Sequence, residues 1–157
     1  MMIRPDELAI AAAGRGADAE WCARLMASTD PWITLGRPFE DCLARCHNPE
    51  LILLTARRAG ELCGFVLLHP AGCAGSPYIA SIATAEEVRG QGVGAHLLRA
   101  AENWFPGARH IFLCVSSFNT RARQFYERYG YTVVGELPDY VIQGASEILM
   151  CKRLVRG

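Results

Sequence analysis

The sequence predicts a mixed α+β fold formed by one domain over residues 1–157. Its length is the first reason, because a chain of 157 residues can form one substantial hydrophobic core. The composition is the second, since 51% hydrophobic and 20% charged residues are typical of a globular protein. The third is the order of the patterns, in which two helices and a set of antiparallel strands precede the alternation β-α-β-α-β-β.

The first half of the chain contains the helical pair and the antiparallel strands. Residues 7–13 have the apolar character of a strand, and apolar residues recur at helical spacing within 18–28 and 37–47. Residues 50–70 predict a hairpin, because two apolar runs flank a charged stretch that contains a glycine. A turn-rich segment then leads into a strand at 76–85.

The second half alternates strands with helices. An amphipathic helix is predicted at 92–105 and ends at a Pro-Gly pair. The nearly continuous apolar run at 110–116 is typical of a strand in the centre of a sheet. A second helix follows at 120–130, and the segments 131–137 and 145–154 predict the last two strands.

Charge and cysteine content exclude several kinds of partner. Sixteen basic residues balance sixteen acidic ones, so we expect neither nucleic acid nor an anionic membrane as a partner. The seven cysteines are odd in number and include no C-x-x-C pair, which favours free thiols in a reducing compartment. Cys42, Cys46 and His47 share a helical face, but no second ligand pair follows, so no metal site is predicted. We expect a cytoplasmic protein without a signal peptide.

The stretch R-G-Q-G-V-G, which lies between a predicted strand and a predicted helix, is typical of a phosphate site. Main-chain N–H groups at a helix N-terminus point towards an anion, and glycines let the anion approach closely. Arg89 can add a charge-assisted contact. A turn that only needs glycine conformations is the alternative, and three glycines within five positions make it the weaker one.

Two common nucleotide motifs do not account for this stretch. The residues formally match the dinucleotide fingerprint G-x-G-x-x-A, but the next strand, 110–116, contains no carboxylate to hold a ribose. A nicotinamide oxidoreductase is therefore disfavoured. A P-loop is excluded because no G-K-[ST] follows the glycines.

Two segments together resemble the GNAT superfamily of N-acetyltransferases. The first, IATAEEVRGQGVGAHLL, is similar to the acyl-CoA-binding signature [RQ]-x-x-G-x-[GA] through Arg89, Gly92 and Gly94. The second, LCVSSFNTRARQFYERYGYTVVGEL, resembles the asparagine, helix, tyrosine and glycine series that follows the fifth strand of the family. The resemblance covers residues 50–154 well and the first 48 residues in outline.

This resemblance implies a fold and a cosubstrate. The fold is a central mixed, mostly antiparallel sheet of about seven strands with splayed fourth and fifth strands, flanked by about four helices. Acetyl-CoA would lie in the splay, with its pantetheine against residues 82–84 and its pyrophosphate on the amides of residues 89–95. The implied cofactor-binding residues are Ile82, Ala83, Thr84, Arg89, Gly90, Gln91, Gly92, Val93, Gly94, Ala95 and Asn119.

The resemblance also implies a catalytic acid. Tyr126 follows Asn119 by seven residues, as the family's leaving-group tyrosine follows its asparagine, and would protonate the departing thiolate. Two alternatives stay open: Tyr126 as a core residue of its helix, and Asn119 as that helix's N-cap. No general base is predicted, because Cys114 stands where some relatives carry a glutamate.

The function that the sequence predicts is direct transfer of an acetyl group from acetyl-CoA to a primary amine of a small molecule or peptide. The alternative is a catalytically silent acyl-CoA-binding sensor that uses the same loop. Trp32, Phe39 and Tyr140 would wall the acceptor pocket or would be core aromatics. The sequence leaves the oligomeric state open, and a homodimer is one alternative.

Overall fold

Seven strands and four helices follow one another along residues 1–154, which is the part of the chain that the computed structural model describes. The strands are β1 (Leu8–Ala12), β2 (Ile52–Arg58), β3 (Glu61–Cys73), β4 (Ser76–Thr84), β5 (His110–Ser116), β6 (Thr132–Pro138) and β7 (Ser146–Arg153). The helices are α1 (Ala17–Ala27), α2 (Phe39–His47), α3 (Val93–Trp104) and α4 (Thr120–Arg128). The predicted order of elements is confirmed, and residues 155–157 of the predicted domain lie outside the described residues.

The turn-rich segment before β4 differs from the prediction, because most of it is strand. β3 continues to Cys73, which pairs with Ser76, and only Ala74 and Gly75 form the turn. Both turn residues have positive φ, +50° and +82°, which is the geometry of a tight two-residue hairpin. An irregularity in the β3–β4 register between His69 and Cys73 accommodates the prolyl and glycyl residues within the strand.

The strands form one sheet in the order β1-β2-β3-β4-β5-β7-β6. Every neighbouring pair is antiparallel except β4 and β5, which run parallel. β4 and β5 pair only at Tyr78 with Phe112 and at Ile79 with Leu113. Since both strands continue beyond these two pairs, they separate towards their C-terminal ends. The predicted splay of the fourth and fifth strands is confirmed.

Each face of the sheet has its own apolar cluster. On one face, which we call the α3–α4 face, α3 and α4 pack over strand residues such as Leu68, Ile111 and Leu113. On the other, the α1–α2 face, α1 and α2 pack over Leu53, Phe65 and their neighbours on β2 to β4. Among residues 1–154, this second cluster contains no residue of β5, β6 or β7. The α1–α2 cluster thus does not cover those three strands, and Phe112, Cys114 and Leu149 on this open face are only half-buried.

Close packing against β3 fixes the position of α3. Gly64 on β3 lies under this helix, and a Cβ at that position would be 3.0 Å from Leu97 Cδ1 and 3.1 Å from the Ala83 carbonyl oxygen. The buried face of the helix is formed by Val93, Leu97, Leu98 and Ala101. The glycine thus lets α3 lie directly on the sheet, with its N-terminus beside the end of β4.

We expect Gly64→Ala to lower the free energy of unfolding by about 1–3 kcal/mol, because the added methyl group meets a main-chain oxygen that cannot move away freely. Urea denaturation measures this loss. Gly107→Ala is the matched control, since a Cβ there meets no atom within 4 Å and its φ is not positive. Equal stabilities of the two variants would contradict the packing argument.

Candidate active site

A cavity of about 1340 Å³ occupies the gap between the separated strands, and we call it the β4–β5 groove. Its walls come from β4, the start of α3, the end of β5, α4, the α1–α2 connection and the β6–β7 loop. The structure brings nearly all the predicted site residues to this groove: Ile82, Ala83, Thr84, Arg89, Gly90, Gly92, Val93, Gly94, Ala95, Asn119 and Tyr126 line it. Gln91 is the exception, because it does not line the groove.

Unbonded main-chain amides lie at the start of α3. The amides of Gly90 and of residues 92–95 donate to no acceptor within residues 1–154. By contrast, the Arg89 amide donates to the Glu86 carbonyl and the Gln91 amide to the Val88 carbonyl, both at 3.2 Å. The first turn of a helix leaves its N–H groups without helical partners, and its dipole favours an anion there. Five of the seven predicted amides are thus available to a ligand.

Gln91 instead connects the loop to the N-terminal segment. Its carbonyl accepts from the Ile3 amide at 2.8 Å, and its side-chain Nε2 donates to the Glu87 carbonyl at 3.0 Å. Ile3 is buried, and its own carbonyl lies 3.1 Å from His96 Nε2 on α3. These contacts tie the loop and the start of α3 to the N-terminal segment.

The glycines of the loop serve different purposes, whereas the sequence attributed all three to room for a phosphate. Gly92 is the N-cap of α3 with φ +89°, which is a left-handed conformation that disfavours any side chain. At Gly94, a Cβ would be 3.1 Å from Phe125 Cζ, so this glycine lets α3 approach α4. Only Gly90, with φ +77° and nothing within 4 Å of an added Cβ, opens directly onto free space.

The edge of β4 presents main-chain groups to the groove. The Ala85 amide donates to the Cys63 carbonyl on β3 at 2.8 Å. Main-chain groups of alternate residues in a strand point to opposite edges, so those of Ala83 also face β3. Those of Ile82 and Thr84 therefore face the gap, where β5 has moved away.

Tyr126 is a core residue of its helix and also lines the groove. Its ring is in the apolar cluster of the α3–α4 face, with ring centroids 5.5 Å from Phe125 and 6.1 Å from Tyr131. Burial raises the pKa of its hydroxyl above the usual value, so the group keeps its proton at neutral pH. Its hydroxyl makes no hydrogen bond within residues 1–154, and it is open to the groove, since no fully buried side-chain oxygen of these residues lacks a partner.

Asn119 is the N-cap of α4. Its side-chain Oδ1 accepts from the Ala122 amide at 3.3 Å, which satisfies one of the free donors at the start of the helix. The capping alternative is therefore observed. Asn119 also lines the groove, and its side-chain nitrogen donates to nothing among the described residues.

Three arginines form a basic rim at the α3–α4 end of the groove, and the sequence analysis identified only Arg89. Arg121 and Arg128 line the same groove from α4. In the described part of the chain none of the three makes an ion pair, whereas Arg123 on the same helix pairs with Glu127 at 3.0 Å. The seven-residue spacing of Arg121 and Arg128 puts them on one helical face, which is a signal that the sequence did contain.

A carboxylate that the sequence analysis missed lies at the other end of the groove. Glu147 on β7 accepts a hydrogen bond from Ser116 Oγ on β5 at 2.6 Å, and it lines the groove near Tyr78 and Cys114. Burial raises the pKa of the Cys114 thiol, which disfavours the thiolate form that a base would need. The sequence did contain a signal for this residue, because Glu147 is a carboxylate within the otherwise mostly apolar run of the last strand.

The three aromatic residues that were predicted to wall the acceptor pocket do not all lie at the groove. Trp32 and the exposed Tyr140 line the groove, while Phe39 packs against the α1–α2 cluster and does not.

Within residues 1–154 no group of three histidine, cysteine or acidic side chains could hold a metal ion. No helix of the described chain is both long and apolar enough to cross a lipid bilayer.

Comparison with known sequences agrees with these features. The profile of the Acetyltransferase (GNAT) family matches residues 17–131. An uncharacterized N-acetyltransferase of Methanocaldococcus jannaschii is 39% identical over 82 residues, 50% of this chain and 53% of that protein. The 5-NmdU N-acetyltransferase of Pseudomonas phage PaMx11 is 35% identical over 83 residues, 52% of this chain and 57% of that protein. The match thus spans about half the length of these relatives.

Solved structures show the same fold. A putative GNAT acetyltransferase of Desulfovibrio desulfuricans superposes with a TM-score of 0.79 and 20% identity, over 94% of this chain and 99% of that one. An aminoglycoside 6'-N-acetyltransferase complexed with coenzyme A gives 0.77 and 20%, over 95% and 98%. Because the family profile covers well over half of the sequence, including all four helices and the loop of unbonded amides, the chain belongs to the GNAT family of acetyltransferases.

Proposed function

We propose that the protein is an acyl-CoA-dependent N-acyltransferase, which transfers an acetyl group directly from acetyl-CoA to a primary amine of a small molecule or peptide. One observation carries this proposal. Five unbonded amides, the unpaired edge of β4 and an unbonded tyrosine hydroxyl all face one groove. Because a single sheet holds both ends of the groove, we propose that the chain works as one catalytic domain. Its free cysteines support a reducing compartment, and we propose the cytoplasm.

The groove fits the shape and charge of coenzyme A. Its volume of about 1340 Å³ exceeds the roughly 300–1,000 Å³ of an ordinary small-ligand pocket, as a long ligand requires. The pyrophosphate would accept from the five amides, and the arginines of the basic rim would contact phosphate oxygens. The main-chain groups of Ile82 and Thr84 would pair with the amides of the pantetheine. The coenzyme A bound to a structural neighbour supports this assignment.

The chemistry needs an acid at the departing sulfur. The amine nitrogen attacks the thioester carbonyl carbon, a C–N bond forms, and the C–S bond breaks with its electron pair on sulfur. Tyr126 is suited to protonate that sulfur, because its hydroxyl lies at the groove, carries a proton at neutral pH and donates to no other group of the described residues. Direct transfer uses no protein nucleophile, so the seven free cysteines need no catalytic role.

A catalytically silent sensor of acyl-CoA is the alternative function. The unbonded hydroxyl of Tyr126 favours the enzyme, since a sensor gains nothing from an unpaired polar group in the groove. Thiol release from acetyl-CoA across a panel of primary amines separates the two. Binding of acetyl-CoA without release on any amine would favour the sensor.

We expect Tyr126→Phe to lower kcat by about 100-fold or more, because the thiolate then leaves without a proton donor. The Kd for acetyl-CoA, measured by calorimetry, should stay within about twofold, since the ring still packs in the core. Tyr131→Phe is the matched control: its hydroxyl donates to Glu102 at 3.0 Å, and it does not line the groove. Unchanged kcat in Tyr126→Phe would reject the acid.

We expect Arg121→Ala to weaken acetyl-CoA binding about tenfold, because a charge-assisted hydrogen bond to phosphate contributes about 1.5 kcal/mol. The dependence of Kd on salt concentration should also become shallower. Arg123→Ala removes an equal charge from the same helix, but its guanidinium pairs with Glu127 instead of lining the groove. Equal affinities of the two variants would show that the basic rim does not bind phosphate.

A further inference from the structure

Glu147 lies on the opposite face of the sheet from Tyr126. Ile111, Leu113 and Val115 on β5 belong to the same apolar cluster as Tyr126, on the α3–α4 face. Side chains alternate along a strand, so Ser116 points to the other face. Glu147 is directly opposite Ser116 in the β5–β7 register and shares its face. The two groups therefore approach the groove from opposite sides of the sheet.

The gap between β4 and β5 connects these two sides. The groove is lined by Tyr126 and Gly94 of the α3–α4 face and also by Glu147 and Tyr78 of the α1–α2 face. A thioester carbonyl placed in the gap would have the tyrosine hydroxyl on its sulfur side. An amine arriving over the open α1–α2 face would pass Glu147 on its way to the carbonyl carbon.

The carboxylate of Glu147 has no cation partner within the described residues. Its recorded hydrogen bond comes from the Ser116 hydroxyl, and no arginine, lysine or histidine of residues 1–154 makes an ion pair with it. The nearby Arg45 on α2 instead donates to the Ala80 carbonyl at 3.0 Å and to Ser81 Oγ at 3.2 Å. A partly buried carboxylate without a cation is costly, and a ligand ammonium would offset that cost.

We propose that Glu147, held by the Ser116 hydroxyl, binds the ammonium group of the acceptor and accepts its proton. This inference rests on the proposed acyl transfer. The ammonium gives one proton to the Glu147 carboxylate, which releases it to water at the open face. The neutral nitrogen then attacks the carbonyl carbon, the C–S bond breaks, and Tyr126 protonates the sulfur. The second proton of the nitrogen restores the tyrosine hydroxyl, so the products are an amide, a thiol and one proton.

The charges at this end of the groove indicate an acceptor with one ammonium. Asp30 uses one carboxylate oxygen for the amide and hydroxyl of Thr34, at 3.0 and 2.6 Å. The acidic lining residues at this end, Asp30, Asp41 and Glu147, exceed the basic ones, Arg37 and Arg45, by one negative charge, which a single ammonium would balance. Glu86 lines the groove close to Arg89, away from this end. The adjacent walls are apolar and aromatic: Trp32, Ile33, Leu35, Tyr78, Tyr140 and Val141. The acceptor class is therefore a primary monoamine with an apolar body.

The test compares variants of the full chain in a thiol-release assay with acetyl-CoA, using phenethylamine as the monoamine and spermidine as the polycation. We expect wild type to prefer phenethylamine. Glu147→Gln should lower kcat/KM for the amine by about 100-fold or more, with the Kd for acetyl-CoA unchanged. Ser116→Ala, which frees the carboxylate to rotate, should raise the amine KM with a smaller effect on kcat.

Glu136→Gln is the control for removal of a carboxylate, because Glu136 is an exposed residue of β6 outside the groove. Unchanged amine kinetics in Glu147→Gln, with an active wild type, would overturn this inference and leave the acyltransferase intact. A wild-type preference for spermidine would overturn the acceptor class. Absence of thiol release from wild type with every amine would overturn the proposed function itself. If Glu147→Gln does not fold, Ser116→Ala provides the test: a raised amine KM would support the inference, and an unchanged one would overturn it.

Discussion

The early end of pairing between β4 and β5 is the constraint on which the site depends. After two residue pairs the strands separate, which leaves main-chain groups at the facing edges without sheet partners. A buried polar group without a partner costs about 1–3 kcal/mol, so these edges need a side chain, water or a ligand. Arg45 donates to one of these groups, the Ala80 carbonyl, and the other unpaired main-chain groups face the groove. The break in the sheet thus creates both the space and the hydrogen-bonding capacity of the site.

The position of α3 turns that break into a site for an anion. Gly64 brings the helix onto the sheet, and the left-handed Gly92 directs the chain into the helix beside the end of β4. The Ile3 amide donates a hydrogen bond to the Gln91 carbonyl. In a longer helix, that carbonyl would accept from the Ala95 amide instead. The N-terminal segment therefore helps to keep the amides of the first helical turn free for a ligand.

The sequence predicted the elements well because each one carries a strong local pattern. The apolar run of β5, the stripe of α3 and the breaks at glycine and proline are all local signals. The pairing of Ser116 with Glu147 is different, because it depends on the register of two strands 31 residues apart. The role of Gly94 could not be predicted either, since it depends on where Phe125 of α4 lies. Hydrophobic periodicity contains no information about such contacts between elements.

The sheet also gives the two proposed proton-transfer groups different surroundings. Tyr126 is packed among apolar rings, which hold its hydroxyl in a fixed position at the groove, as a proton donor to the departing sulfur requires. Glu147 has a hydroxyl donor and the open α1–α2 face beside it, which suits a group that accepts a proton and passes it to water. If both groups were on one face, either the acid would lose its apolar surroundings or the base would lose its contact with solvent. Because the sheet opens between β4 and β5, an acid in apolar surroundings and a base in contact with solvent can both reach one carbonyl group.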